Sequence, residues 1–140
     1  MGSLLDVETP ALLLHLDPVE RNLRRMAERA KRLGVRLRPH IKTHKCVELG
    51  RRQLAHGARG VTVSTLVEAE AFAAAGFDDL TWAFPLDPSH LPRVRRIGER
   101  VALRVVVDDL ETAKALAGTG LHVFLKVDCG YHRAGVNPSS

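Results

Sequence analysis

Six apolar runs of strand length alternate with helical patterns along this chain, and their starts recur about every 20 to 24 residues, the period of a βα unit in parallel α/β folds. The runs are ALLLHLD (residues 11–17), RLRPHI (36–41), GVTVST (60–65), LTWAF (80–84), VALRVVV (101–107) and HVFLKVD (122–128). Between them lie CVELGRRQLAHG, LVEAEAFAAAG, PSHLPRVRRIGE and LETAKALAGTG, several of which end in the glycine that stops helices. Asp17-Pro18 reads as an N-cap followed by proline at the first helical position. After it, Leu23, Met26, Ala27, Ala30 and Leu33 form an apolar stripe at helical spacing.

Doubly wound sheets share this rhythm, but their nucleotide-binding version needs a glycine-rich turn after the first strand. No G-x-G-x-x-G occurs in the sequence. The expected fold class is therefore α/β of the (β/α) TIM-barrel type. Five or so units follow the first strand, whereas a closed barrel has about eight, so residues 1–140 read as the N-terminal part of a barrel domain, a partial barrel.

The strand faces sharpen this reading. In 101–107, Val101, Leu103, Val105 and Val107 make an apolar face against Ala102, Arg104 and Val106; in 60–65, Val61 and Val63 oppose Thr62 and Ser64. In 122–128, Val123, Leu125 and Val127 are expected to pack on helices, with His122, Phe124, Lys126 and Asp128 opposite. A structural barrel interior is dominated by Val, Ile and Leu. Here the second face instead carries Arg38, His40, Lys42, Thr62, Ser64, Arg104, Lys126 and Asp128. Either these charges pair among themselves, as Arg104 with Asp128 could, or they line a pocket for an anion. The pocket is the favoured expectation.

RPHIKTHK (38–45) concentrates the question. Arg38, His40 and Lys42 alternate on one face, and like charges at period two repel and are costly to bury. Neighbouring cations and partial burial would make Lys42 a nucleophilic amine. His40 and His44 straddle a strand end with no third ligand evident, so no metal site is assigned. Asp108-Asp109 reads as a helix opening. In VDCGYHRAG (127–135), Arg133 sits in a glycine-bracketed loop where its guanidinium can reach an oxygen anion. Cys129 and His132 are too close in sequence to be read as a nucleophile pair.

The net charge of +5 rests on 16 Arg and five Lys, but many arginines share helix faces with Glu, as in VERNLRRMAERAKRLG, and aromatic residues make up only 4%. A solvated helix face explains this better than nucleic acid binding. No run is long enough to span a bilayer, no signal segment opens the chain, and two cysteines form no CxxC pair, so a cytoplasmic protein is expected.

TPALLLHLD, ERNLRRMAERA, VRLRPHIKTHK, GVTVSTLVEAEAFAAAGFDDL and VDCGYHRAGV together resemble the N-terminal barrel of the D-threonine aldolase/D-serine dehydratase family, of the alanine racemase barrel type. The resemblance implies a pyridoxal 5'-phosphate-dependent lyase acting on D-amino acids, with Lys42 carrying the cofactor as a Schiff base, His40 beside it, and Arg133 near its phenolic oxygen. Lys126 matches a lysine of alanine racemases in spacing and reads as a pocket-wall residue. Family members are commonly homo-oligomers, and some use a divalent metal; their metal ligands and phosphate-binding loops lie in parts of the family not matched by these residues. An inactive partial barrel and an amino-acid racemase are the alternatives.

Overall fold

The computed structural model describes residues 3–138. Its centre is a four-stranded parallel sheet with strands in chain order: β1 (Val61–Val63), β2 (Asp79–Pro85), β3 (Ala102–Val107) and β4 (His122–Leu125). Sequential parallel neighbours joined by helices are the (β/α) barrel pattern, and four strands give an open arc of it. The helices are α1 (Leu16–Arg32), α2 (Val47–Ala55), α3 (Leu66–Ala74), α4 (Leu91–Gly98) and α5 (Leu110–Ala115).

Local chemistry sets the helix starts. Thr65 accepts the Glu68 N–H at 3.1 Å to cap α3, and Asp109 accepts the Thr112 N–H at 2.7 Å to cap α5, as the Asp108-Asp109 reading expects. The apolar faces of β1 and β3 turn to the helices: Val61, Val63, Leu103, Val105 and Val107 are buried with Leu66, Phe72, Val94, Ile97 and Leu116. Phe72 and Phe77 meet edge-on at 4.8 Å between centroids, inside the same core.

Three expectations are corrected. Residues 11–17 form no strand: Leu12 is 91% exposed, and α1 already begins at Leu16 with His15 at its N-cap. Asp17 and Pro18 therefore lie in the first helical turn, where the missing proline N–H costs nothing because that donor has no intrahelical acceptor. An apolar segment with no paired neighbour lacks the ladder bonds that would make it a strand.

Residues 36–41 shrink to a single parallel bridge, His40 with Thr62, flanked by Arg59 N–H to Leu37 O (2.8 Å) and Thr62 N–H to Pro39 O (2.8 Å). Pro39 has no N–H to donate, so the ladder is interrupted in its middle. Lastly, Val123, Leu125 and Val127 do not pack on helices; all three are exposed, because β4 is an edge strand and no helix among the described residues follows it. The α1 stripe is likewise thinly covered, with Ala30 buried but Met26 and Leu33 exposed.

Candidate functional site

The polar faces of the sheet divide into two groups at opposite ends of the strands. At the amino-terminal end, Asp79 opens β2 and is buried, its side chain only 6% exposed. Arg38 donates to both of its oxygens, at 3.0 Å from Nη2 to Oδ2, and Arg104 donates from the next strand to Oδ1. Thr81 Oγ1 accepts a further bond from Arg38 at 3.2 Å, and Arg59 completes the ring of cations at 3.7 Å. Burial holds the Arg38 guanidinium below its ordinary value, an effect countered by Asp79 and reinforced by Arg104. Gly60 makes room for this cluster, because a Cβ there would collide with the Asp79 carbonyl and side chain. Arg104 and Arg38, expected to line an anion pocket, are instead paired within the fold, and not with Asp128, the partner weighed as the alternative for Arg104. Their counter-ion is Asp79, which the sequence reading missed although GFDDL places an acid at the mouth of a strand beside Arg104.

At the carboxyl-terminal ends, where parallel α/β folds carry their sites, His40, Lys42, Ser64, Ala83, Phe84 and Arg133 line a cleft of about 520 Å³. The structure thus brings Lys42, His40 and Arg133 together from segments far apart in sequence. It does not bring Arg38 or Arg104, which Asp79 occupies, and Lys126 is half-buried but outside the lining. Ser64, Ala83 and Phe84 are lining residues that the strand pattern places at strand ends without marking as special.

Lys42 stands on a single 3-10 turn, Ile41–Thr43, whose Ile41 plugs the core while Lys42 is exposed; the partial burial expected of it is not observed. The turn is closed by Ile41 O, which accepts from His44 N–H (3.0 Å) and Lys45 N–H (2.7 Å). Lys45 takes φ 48, a left-handed conformation uncommon for a lysine. Among the described residues, no carboxylate lies within ion-pair distance of Lys42 or Arg133.

His40 caps the Lys42 turn: its Nδ1 accepts the Lys42 N–H at 3.3 Å, leaving Nε2 to donate to Ser64 Oγ at 3.4 Å. Burial and then the Lys42 charge push the His40 pKa down, against a smaller upward pull from Glu68, which favours this neutral tautomer. Ser64 is held from both sides, its N–H donating to Glu68 Oε2 at 2.7 Å and its carbonyl accepting from Trp82 Nε1 at 3.0 Å. Glu68 is itself buried, yet its carboxyl lies below the ordinary range: burial pushes it up, and the Ser64 N–H and Lys45 more than offset this. Lys45 Nζ sits 3.2 Å from Glu68 Oε1, paired by charge rather than by an aligned hydrogen bond.

Arg133 arrives on a loop that folds back on its own strand. Val127 bridges Val136, with Asp128 N–H to Val136 O and Val136 N–H to Lys126 O both at 2.9 Å. Asp128 Oδ1 gathers the N–H groups of Gly130 and His132, each at 3.0 Å, and these bonds lower its pKa. Gly135, at φ 120, lies against the Val127–Asp128 backbone where a Cβ would collide, and Asp108 accepts its N–H at 3.1 Å. Arg133 lies over the Tyr131 ring, 5.2 Å from its centroid. Of the two glycines that bracket the loop, Gly135 is thus required by space, whereas Gly130, at φ 111 with nothing near an added Cβ, is required by its backbone conformation alone.

Chemically, the cleft offers one primary amine, one neutral imidazole, one hydroxyl, one guanidinium and an aromatic side chain, with no acidic lining residue. That set suits a planar, anionic molecule bearing an aldehyde. Among the described residues, no group of three or more His, Cys, Asp or Glu side chains is placed to hold a metal ion, and no helix is long and apolar enough to cross a membrane.

The family model for the alanine racemase N-terminal domain matches residues 14–140. The chain is 42% identical over 141 residues to the D-threo-3-hydroxyaspartate dehydratase of Delftia sp. (strain HT23), an alignment covering 96% of this chain and 37% of that protein. It is 36% identical to the D-serine dehydratase of Dictyostelium discoideum, over 95% of this chain and 38% of the relative. The crystal structure of a D-threonine aldolase from Filomicrobium marinum superposes with a TM-score of 0.87 at 38% identity, over 96% of this chain and 38% of that one. The chain therefore spans little more than a third of the length of these relatives.

Proposed function

The chain belongs to the alanine racemase N-terminal domain family, and from that premise we propose that it is the cofactor-holding portion of a pyridoxal-phosphate-dependent lyase acting on D-amino acids, of the aldolase or dehydratase type. One observation carries the reading: among the described residues, Lys42 is the only lysine that lines the carboxyl-end cleft, and the other lining residues are cationic, neutral or aromatic, none of them acidic.

Pyridoxal phosphate, when bound, supplies an electron sink for the negative charge left when a bond to the substrate's Cα breaks. The chain's own residues divide the remaining work. Lys42 would hold the cofactor through its Nζ. Arg133 lines the same cleft, and its guanidinium is suited to an oxygen anion such as the cofactor's phenolate. His40, kept neutral by burial, fixes the Lys42 turn through Nδ1 and holds a proton at Nε2 toward Ser64. Phe84 offers an aromatic face to a planar ring. A D-amino acid as the small-molecule partner, a homo-oligomeric state and a cytoplasmic setting belong to the same proposal.

The test is borohydride reduction of the purified chain mixed with pyridoxal phosphate, followed by peptide mass spectrometry. One adduct per chain, confined to Lys42 and lost in Lys42→Ala, is the expected result. An even spread over the five lysines, or no adduct, overturns the reading and leaves an inactive partial barrel.

A further inference from the structure

Two lysines stand three residues apart on the same turn, and only one of them has a counter-ion. Lys42 enters the cleft and has no carboxylate within ion-pair distance among the described residues. Lys45 is turned away by its left-handed backbone, lies outside the cleft lining, and sits 3.2 Å from Glu68 Oε1. Glu68 is a built anchor: its carboxylate is 9% exposed, its backbone N–H is tied to the Thr65 cap, and its other oxygen holds the Ser64 N–H at 2.7 Å. We propose that Glu68 is a positioning residue that decides which lysine of the turn meets an aldehyde, by detaining the Lys45 ammonium and leaving the Lys42 amine free.

The chemistry is one of charge. Condensation of an amine with an aldehyde first requires the ammonium to give up its proton to solvent; water then leaves as the C=N bond forms. At Lys45 that sequence would remove the positive charge facing Glu68 and strand a buried carboxylate without its ionic partner, a costly state. At Lys42 no such partner is lost. Glu68 also fixes Ser64, the residue His40 reaches, so the same side chain that restrains Lys45 steadies part of the cleft lining. The inference rests on the cofactor reading of this cleft, but its test separates the two.

Wild-type chain and Glu68→Gln are labelled with pyridoxal phosphate and borohydride at a large excess over the one equivalent that Lys42 takes, so that slower lysines react too, and the label at Lys42 and Lys45 is counted relative to Lys31, a lysine of α1 outside the cleft lining. Glutamine keeps an acceptor for the Ser64 N–H and removes only the charge. The Lys45 share is expected to rise about fivefold in Glu68→Gln, the scale of a part-exposed ion pair. An unchanged Lys45-to-Lys31 ratio overturns the proposal. Should Glu68→Gln fail to fold, labelling the wild type at about 1 M salt, where the pair's exposed lysine is screened, must raise the Lys45 share in the same direction; a flat response overturns it. If Lys42 takes no label in the wild type, the cofactor reading fails, while the Lys45-to-Lys31 ratio still decides the role of Glu68.

Discussion

The two ends of this sheet carry similar cations and use them in opposite ways. At the amino-terminal end, Arg38 and Arg104 converge on the buried Asp79, with Arg59 behind them. At the carboxyl-terminal end, Lys42 and Arg133 face a cleft that contains no acid. The first arrangement is closed: each of these cations has Asp79 as its counter-ion, and the charges tie Arg38, Arg59, β2 and β3 together. The second is open, and an open set of donors around a cavity is what a ligand can recognise. The difference lies in where the carboxylates reach: Asp79 meets Arg38 and Arg104 at one end, whereas at the other Glu68 holds Lys45 and lies outside the cleft that Lys42 and Arg133 line.

Removing the Asp79 carboxylate gives the largest expected effect. Asp79→Ala leaves the half-buried Arg38 and Arg104 side by side with no counter-ion, and breaking such a group by deleting one partner costs about 3–5 kcal/mol. Urea unfolding followed by circular dichroism would measure it. A loss below about 1 kcal/mol, the range of a surface pair, would mean that the lower cluster is no tighter than a solvated one, and the contrast between the two ends would collapse.

This contrast was only half legible in the sequence. The period of the runs gave the parallel α/β class, and the alternation in 60–65 and 101–107 correctly set Val61, Val63, Leu103, Val105 and Val107 toward the helices. RPHIKTHK and VDCGYHRAG pointed to Lys42, His40 and Arg133, whose meeting in one cleft depends on strand order that a linear reading can only assume. What failed were decisions made by tertiary partners. Residues 11–17 and 122–128 have strand-like composition, but pairing and helix cover are supplied by neighbours, and neither segment has a full set here. Likewise Arg38 and Lys42, two positions of one apparent face, part company because Pro39 breaks the ladder and a 3-10 turn begins at Ile41.

The second prediction uses acid to tell the ends apart. Burial lowers the pKa of His40 and of His44, both in the upper turn, from the ordinary value of 6.5, and no histidine touches the Asp79 cluster. A histidine whose folded pKa is depressed takes up its proton first in the unfolded chain. Its contribution is therefore complete above the unfolded value and lost as pH falls from there through the lower folded value. Glu68, also depressed, keeps its contribution above the ordinary 4.5 and loses it as pH falls through its lower folded value. Stability should fall in two steps on acidification from pH 7, the first setting in as pH falls through the ordinary 6.5 and amounting to less than about 1 kcal/mol after allowance for solvent screening of these half-exposed rings. Unfolding midpoints measured across that step for wild type and His40→Asn check it. The variant should show a shallower first step, because the group facing Lys42, Ser64 and Glu68 no longer titrates. An identical slope would take His40 out of the account.

The smallest effect is the most telling about the open end. Lys42 is exposed, has no carboxylate within ion-pair distance among the described residues, and offers its backbone rather than its side chain to His40. Its side chain thus holds nothing in the fold, and removing it relieves a charge that disfavours His40 protonation. Lys42→Ala should change the unfolding free energy by no more than about 0.5 kcal/mol, the range of an uninvolved surface position. It should also let His40 take up its proton at a higher pH, read from its imidazole resonances in an NMR titration. A loss of stability comparable to that of Asp79→Ala would show instead that the upper cations, like the lower ones, are part of the scaffold.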